Sequence, residues 1–430
     1  MFHIAERGST VRAEVVGGVT TFVSMAYIIV VNPAILSFAG IPQGPSTVAT
    51  ILTAAFGTLL MGLYANRPFA VAPYMGENAF IAFGLAAFGI TWQQRLGAVF
   101  VSGAIFLVIT LLGIRKWLAN AVSPSMKHSF AAGIGLFLTF IGLYESGIVK
   151  PAQAVPVQLG DIRSTTVLLA ILGFVVIAAL MIRRVPGAIL IGIAVTAIVG
   201  ALAGAGKMPA HVVALPYDLS PIALKLDFTS ILRVSFLPIL LTLFLMSLLD
   251  TLGTLVGLGA AADMLDEKGE LPEIEKPMLV DAVTCMFSGL VGTSTSGAYI
   301  ESATGIREGA RTGLASVVTA ALFALSLFFI PLLEPLQSLQ YAYAPALLIV
   351  GMLMLGAVAK IDFDDLTELV PAFTTVVVMV FTFNIANGLT AGLVLWPIVK
   401  VLAGRAREVR AGAIVLALLC AIYYVFGLPH

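Results

Sequence analysis

Two carboxylates stand in apolar surroundings that ordinarily exclude charge. Asp250 sits in the run SFLPILLTLFLMSLLDTLGTLVGLGAAADML, with no other charged residue between Arg233 and Asp263. Glu301 closes the polar stretch GTSTSGAYIE (292–301), which has apolar runs on both sides. An acid at mid-membrane costs roughly 2.5–3.5 kcal/mol to insert and marks a functional position by default. Such a group can accept N–H donors from a solute, load and release a proton, or pair with a neighbour. Thr254 lies at i+4 from Asp250 on one helix face, and Gly253, Gly257 and Gly259 let a helix or ligand approach the backbone closely. A second polar stretch, FAVAPYMGENAFIAFG (69–84), carries Glu77 and Asn78. Asn78 offers a donor and an acceptor together, which suits a heteroaromatic edge. Glu77 should face about 100° further round the helix, toward the solute or toward a cation such as Arg67.

His3, His128, His211 and His430 all fall at chain ends, helix starts or loops. A coupling proton would therefore use carboxylates, Asp250 or Glu301. Sodium held by Asp250 with hydroxyls such as Thr254 is the chemical alternative. Cys285 and Cys420 lie in apolar surroundings and read as buried small hydrophobes; neither has metal-ligand spacing, and no cofactor is expected.

The chain that must hold these acids has 430 residues, 60% of them hydrophobic and 11% charged, with mean hydropathy +1.05. Soluble domains carry about 25% charged residues. The formal net charge is zero, so no basic excess points to nucleic acid and no acidic tail to a partner. The opening MFHIAERGSTVRAE lacks an apolar core followed by a cleavage site, and a cleaved signal peptide is not expected. Runs long enough to enter or cross a bilayer centre on 14–37, 46–65, 74–89, 93–113, 127–143, 165–182, 187–204, 232–260, 277–292, 297–309, 312–333, 343–359, 366–383 and 386–403. With the N-terminus inside, seventeen Lys and Arg fall in inner segments (Arg115, Lys116 and Lys268 among them) and six in outer ones, including Lys207 and Arg233. That asymmetry is the mark of cytoplasmic loops. The apolar stretch 411–428 is an extra span, a surface helix, or a sign that an earlier element is wrongly split.

AYIESA (298–303) laid over YMGENA (74–79) sets Glu301 over Glu77, Ser302 over Asn78 and Ala303 over Ala79. Both segments are the third element of a seven-element half, and an odd number per half turns the second copy upside down. The expected repeats are 10–204 and 232–403, with 404–430 as an extension. TSTSG and AVAPY read as extended, running into half-helices from about Ala298 and Gly76. Non-helical chain survives at membrane depth only where protein or a water-filled cavity surrounds it. Two half-helices starting there would aim their amides at one spot. Elsewhere, residues 261–277 read as a solvated connector and the acids of KIDFDDLTEL (360–369) as helix caps. Trp92, Trp117 and Trp396 read as interfacial anchors.

Four stretches carry a resemblance: TTFVSMAYIIVVNPAIL (20–36), APYMGENAF (72–80), LLDTLGTLVG (248–257) and GTSTSGAYIESATGIREGARTGL (292–314). In this order they resemble the AzgA-like branch of the nucleobase:cation symporter (nucleobase-ascorbate transporter) family, the guanine/hypoxanthine/adenine permeases. The resemblance implies an all-α polytopic membrane protein of seven plus seven inverted elements, with short strands leading into half-helices in elements three and ten. It implies a core domain from about 10–115 and 232–333, and a gate domain from about 120–204 and 340–403. It further implies proton symport of purine nucleobases across a bacterial inner membrane, Asp250, Glu301 and Asn78 contacting the base, and dimerisation through the gate. Two departures stand out: SGAY replaces a denser threonine run before Glu301, and Glu77 occupies a position that is commonly apolar. The candidate ligand residues are thus Glu301, Asp250, Asn78, Ser302, Glu77 and Thr254.

The rival functions are a uracil- or xanthine-type carrier, an inorganic anion carrier on the same architecture, and an intramembrane enzyme using paired acids. Central carboxylates repel an anion, and no nucleophile or metal set accompanies the acids.

Overall fold

The computed structural model describes residues 2–114, 117, 121–206, 209, 211–229, 236–267 and 270–426. Arg115, Lys116, Lys207, Arg233, Lys268 and His430, together with the first residues of the second repeat at 232–235, lie outside them. The helices are α1 (Val11–Met25), α2 (Ile28–Ser37), α3 (Gln43–Leu60), α4 (Met75–Ala79), α5 (Trp92–Leu111), α6 (Pro124–Glu145), α7 (Thr165–Ile182) and α8 (Ala188–Leu202) in the first half. The second half has α9 (Leu237–Ala261), α10 (Glu275–Val291), α11 (Ser302–Arg307), α12 (Gly313–Ser326), α13 (Ile330–Ser338), α14 (Gln340–Leu355), α15 (Leu366–Phe381) and α16 (Ile385–Leu402), followed by α17 (Ala411–Phe426). Among the described residues, nine helices are long and apolar enough to cross a membrane.

Every expected element is present, and element one is α1 and α2 in series. The helix in element ten starts four residues later than the sequence suggests, at Ser302, which leaves Glu301 at the N-cap. α17 runs antiparallel to α16: Gly412 packs beside Ala121, while the Tyr424 hydroxyl donates to the Asn387 carbonyl near the start of α16, 3.3 Å away. The final apolar stretch is thus a helix laid along the bundle. A hairpin of β2 (Val149–Pro151) and β3 (Val157–Leu159), which apolar periodicity does not reveal, joins α6 to α7.

The centre of the molecule is a two-stranded antiparallel sheet. β1 (Val71–Pro73) pairs with β4 (Ser296–Ala298), Val71 opposite Ala298, Ala72 opposite Gly297 and Pro73 opposite Ser296. Tyr74 N–H donates to Thr295 O and Tyr299 N–H to Ala70 O, extending the ladder at both ends. All six strand residues are buried, so the outward-facing amides and carbonyls need partners other than water. The Thr58 hydroxyl supplies them for Val71, accepting its N–H at 2.9 Å and donating to its carbonyl at 3.0 Å. The Cys285 thiol does the same for Ser296, and Asp281 accepts the Ala298 N–H. Cys285 is therefore more than a filler. Pro73 lacks an N–H at an edge position where none is needed.

This register is a dyad through the Ala72·Gly297 pair. It relates Val71 to Ser296, Pro73 to Ala298 and, past the strands, Tyr74 to Tyr299, whose rings lie parallel to within 10°. The repeats therefore superpose one residue away from the alignment of Glu77 with Glu301, and the counterpart of Glu77 is Ser302.

Around the sheet the helices pack in two sets. α1 packs on α11 and α12, α3 on α10 and α12, and α5 on α9 and α10. Separately, α6 packs on α14 and α15, α15 on α16, and α7 on α8 and α14. The first set is joined by small residues: Gly17 meets Gly305, and Gly62 meets Gly313. Glu14, fully buried on α1, accepts the N–H groups of Arg311, Thr312 and Ala315 and so caps α12 from outside. In the second set the acids before α15 do more than cap it. Asp365 accepts the Thr367 N–H, but it also pairs with Arg405, and Glu368 pairs with the buried Lys400 at 3.0 Å. Trp396 is buried rather than interfacial: its indole N–H donates to Glu368 and Lys400 lies over its ring.

A Cβ at Gly297 would fall on the Tyr74 hydroxyl, whereas one at Gly253 would meet nothing within 4 Å. Gly297→Ala should therefore destabilise by about 1–3 kcal/mol through overpacking. The thermal midpoint in detergent should drop for this variant and hold for Gly253→Ala.

Candidate functional site

Chain direction changes abruptly where β1 meets α4 and where β4 meets α11, and the acids gather at these breaks. Glu301 is half-buried, and its Oε1 accepts the Tyr27 hydroxyl proton at 2.7 Å. Tyr27, at the α1–α2 junction, is itself fully enclosed. Asp250, half-buried on α9, lies with its carboxyl close to that of Glu77 on α4, which packs against α9. Glu77 is completely buried, and neither carboxyl oxygen has a donor among the described residues. Arg67 does not neutralise it: that guanidinium donates to the Pro272 carbonyl at 2.5 Å and approaches Met264 Sδ. The Tyr299 ring lies within electrostatic reach of Glu301, Glu77 and Asp250 together. Among the described residues, no Lys, Arg or His acts on these three acids.

Asn78 turns toward the interior of the first half. Its amide donates to Asn32 Oδ1 at 2.9 Å, and Asn32 in turn donates to Thr50 and Thr293. The carbonyl oxygen of Asn78 is buried without a donor among the described residues. Ser302 is engaged in the sheet, its hydroxyl oxygen accepting the Ala70 N–H at 2.9 Å. Thr254, one turn beyond Asp250, is half-buried. On the same side of α9, Gly253 is exposed with open space at its Cα, and Ile300 lies over Gly257. Gly259 instead packs on Leu265 and Leu271 of the following loop. The structure thus brings Glu77, Asp250 and Glu301 within electrostatic reach of Tyr299, and directs Asn78 and Ser302 into supporting contacts.

Four supporting residues escape the sequence reading. Asp281 on α10 is fully buried; it accepts from Thr251, whose hydroxyl also meets Tyr74, and from the Ala298 N–H. The signal was available, because Asp281 is a charge inside PMLVDAVTCMFSGLVG, but Lys276 five positions earlier makes the segment look like a loop edge. Tyr27, Asn32 and Thr251 give no local signal at all, since their partners lie far along the chain.

A helical membrane protein folded back on itself about a central strand pair, with acids at the two breaks, has the build of a secondary transporter. The transmembrane domain of the cyanobacterial bicarbonate transporter BicA has the same fold, with TM-score 0.63 at 16% identity over 87% of this chain and 97% of that one. The chain belongs to the Permease family Xan_ur_permease, which matches residues 12–390, within the nucleobase-ascorbate transporters. It is 39% identical to the guanine/hypoxanthine permease PbuG of Bacillus subtilis over 99% of each chain. It is 38% identical to the adenine permease AdeP of Escherichia coli over 100% of this chain and 96% of that one. The protein is an integral membrane transporter and not an enzyme.

Tyr27→Phe removes the donor that orients Glu301. A hydrogen bond to a charged group contributes about 1.5–3 kcal/mol, so solute affinity should fall about tenfold or more in equilibrium binding. Gly253→Leu should fill the open side of α9 and stop transport, with size-exclusion behaviour unchanged; Gly253→Ala should transport.

Proposed function

We propose that this chain takes up purine nucleobases (hypoxanthine, guanine or adenine) by proton symport, through alternating access. The observation that carries the reading is the charge of the site. Three carboxyls lie within electrostatic reach of one tyrosine, and no cation among the described residues acts on them. Such a site repels an anion, although a bicarbonate transporter has the same fold. It suits a neutral, planar solute with N–H donors along one edge, and the names of the guanine/hypoxanthine and adenine permeases agree with that. In this reading Glu301, steadied by Tyr27, accepts two neighbouring N–H groups of the base, for which its two oxygens are spaced. Asp250 contacts the base from the other side.

The set of helices carrying the acids would be the core, and the set built on α6, α14 and α15 the gate. Their relative movement would expose the site to each side in turn. Coupling falls to the carboxyls, because the histidines His3, His128 and His211 lie away from the site. The excess of Lys and Arg in alternate loops supports a cytoplasmic N-terminus, and a bacterial inner membrane suits a proton-driven carrier.

In proteoliposomes, radiolabelled hypoxanthine, guanine or adenine should accumulate when the outside is acid, and a protonophore should abolish accumulation. Glu301→Gln should reduce uptake to background. Competition by uracil or xanthine but by no purine would overturn the substrate assignment, and sodium dependence without pH dependence would overturn the coupling.

A further inference from the structure

Glu77 has a surrounding unlike that of Glu14 or Asp281, the other fully buried acids of the core. Glu14 is given three backbone N–H donors, and Asp281 a hydroxyl and an N–H. The fold thus gives each of these acids donors, although Asp281 Oδ1 has none among the described residues. Both oxygens of Glu77 lack any donor among the described residues, and the helix packed against it brings up Asp250, another acid. Nor does repeat symmetry demand an acid here, since the dyad sets Ser302 opposite Glu77.

Two ionised carboxylates are acceptors only and form no hydrogen bond with each other. A buried carboxyl without donors, set beside a second carboxyl, is stable only if the pair holds one proton, as in carboxyl pairs where two like charges cannot both persist. We propose that Glu77 and Asp250 share a single proton and that this pair, rather than Asp250 or Glu301 alone, seats the coupling proton. The proposal rests on the purine-uptake reading above and deepens it.

The geometry gives each member a task. Asp250 is half-buried beside the open side of α9 and can exchange the proton with water; Glu77 is sealed behind it and can only share. Among the described residues, Tyr74 and Tyr299 lie within electrostatic reach of both members and Cys285 within reach of Glu77; Asp281 and Glu301 act on those same groups, and none of the five is a cation. Without the shared proton, Glu77, Asp250 and Glu301 would form three uncompensated negative charges, and a neutral base brings no charge to offset them. The loaded form is therefore the protonated one. It presents Glu301 as an acceptor and the pair as an O–H donor, matching a purine edge that carries both N–H groups and bare ring nitrogens. Losing the proton on the far side then weakens the hold on the base.

The test uses the full chain in detergent, measuring hypoxanthine affinity against pH and the infrared carbonyl stretch of protonated carboxyls. One linked proton makes affinity fall about tenfold per pH unit on the alkaline limb. The wild type should show that slope and a protonated-carboxyl band. Glu77→Gln should flatten the slope and lose or shift the band, and Glu77→Asp should restore both. If Glu77→Gln does not fold, Asp250→Asn serves for the infrared arm and should shift the same band. An unchanged slope in Glu77→Gln, or a wild type without the band, overturns the shared proton. The band is read without any base: if it is present but no purine binds, the uptake reading fails while the shared proton stands. Affinity that follows sodium and ignores pH overturns the proposal.

Discussion

The structure depends on one constraint: polypeptide backbone that leaves helical geometry inside a membrane must find every hydrogen bond within the protein. The β1–β4 pair meets it twice over. The strands bond to each other along their inner edges, and Thr58, Cys285 and Asp281 close the outer edges. Once those partners are in place, the chain can break helix at mid-membrane in two places that face each other. Glu77 and Glu301 sit just past those breaks, and α9 brings Asp250 up to the first of them.

The same constraint separates the polar residues that serve the scaffold from those left over for chemistry. Ser302, Asn32, Thr251 and Asp281 spend their hydrogen bonds on backbone or on one another. Glu301 keeps an oxygen beyond the one that Tyr27 reaches, and both oxygens of Glu77, beside Asp250, have no donor among the described residues. A site of this kind is defined by what the scaffold has not consumed.

Much of this was legible in the sequence. The apolar runs marked all fourteen elements, because lipid sets their length, and isolated charges in those runs marked Asp250 and Glu301. The extended character of TSTSG and AVAPY marked the strands. What stayed hidden depends on contact between distant segments: Tyr27 reaches Glu301 and Asn32 reaches Thr293 across most of the chain, and no periodicity encodes that. Repeat alignment by residue likeness slipped one position, since matching glutamates drew it toward Glu77 over Glu301. Strand register, which obeys backbone geometry rather than side-chain similarity, placed Ser302 there instead. The acids at the start of α15 were read in part for a related reason: capping, which Asp365 does perform, was visible locally, whereas the partners Lys400, in the last turn of α16, and Arg405, just beyond it, were not.

The dyad at Ala72·Gly297 also bears on how the protein is made. Each repeat contributes one strand, so the first half, once inserted, holds β1 with its inner amide and carbonyl groups facing nothing. More than two hundred further residues must leave the ribosome before β4 arrives. During synthesis the nascent first repeat therefore has to keep that segment wet or sheltered by the insertion machinery. Completion of the fold waits for the second repeat to bring in its own half of a seam that neither can close alone.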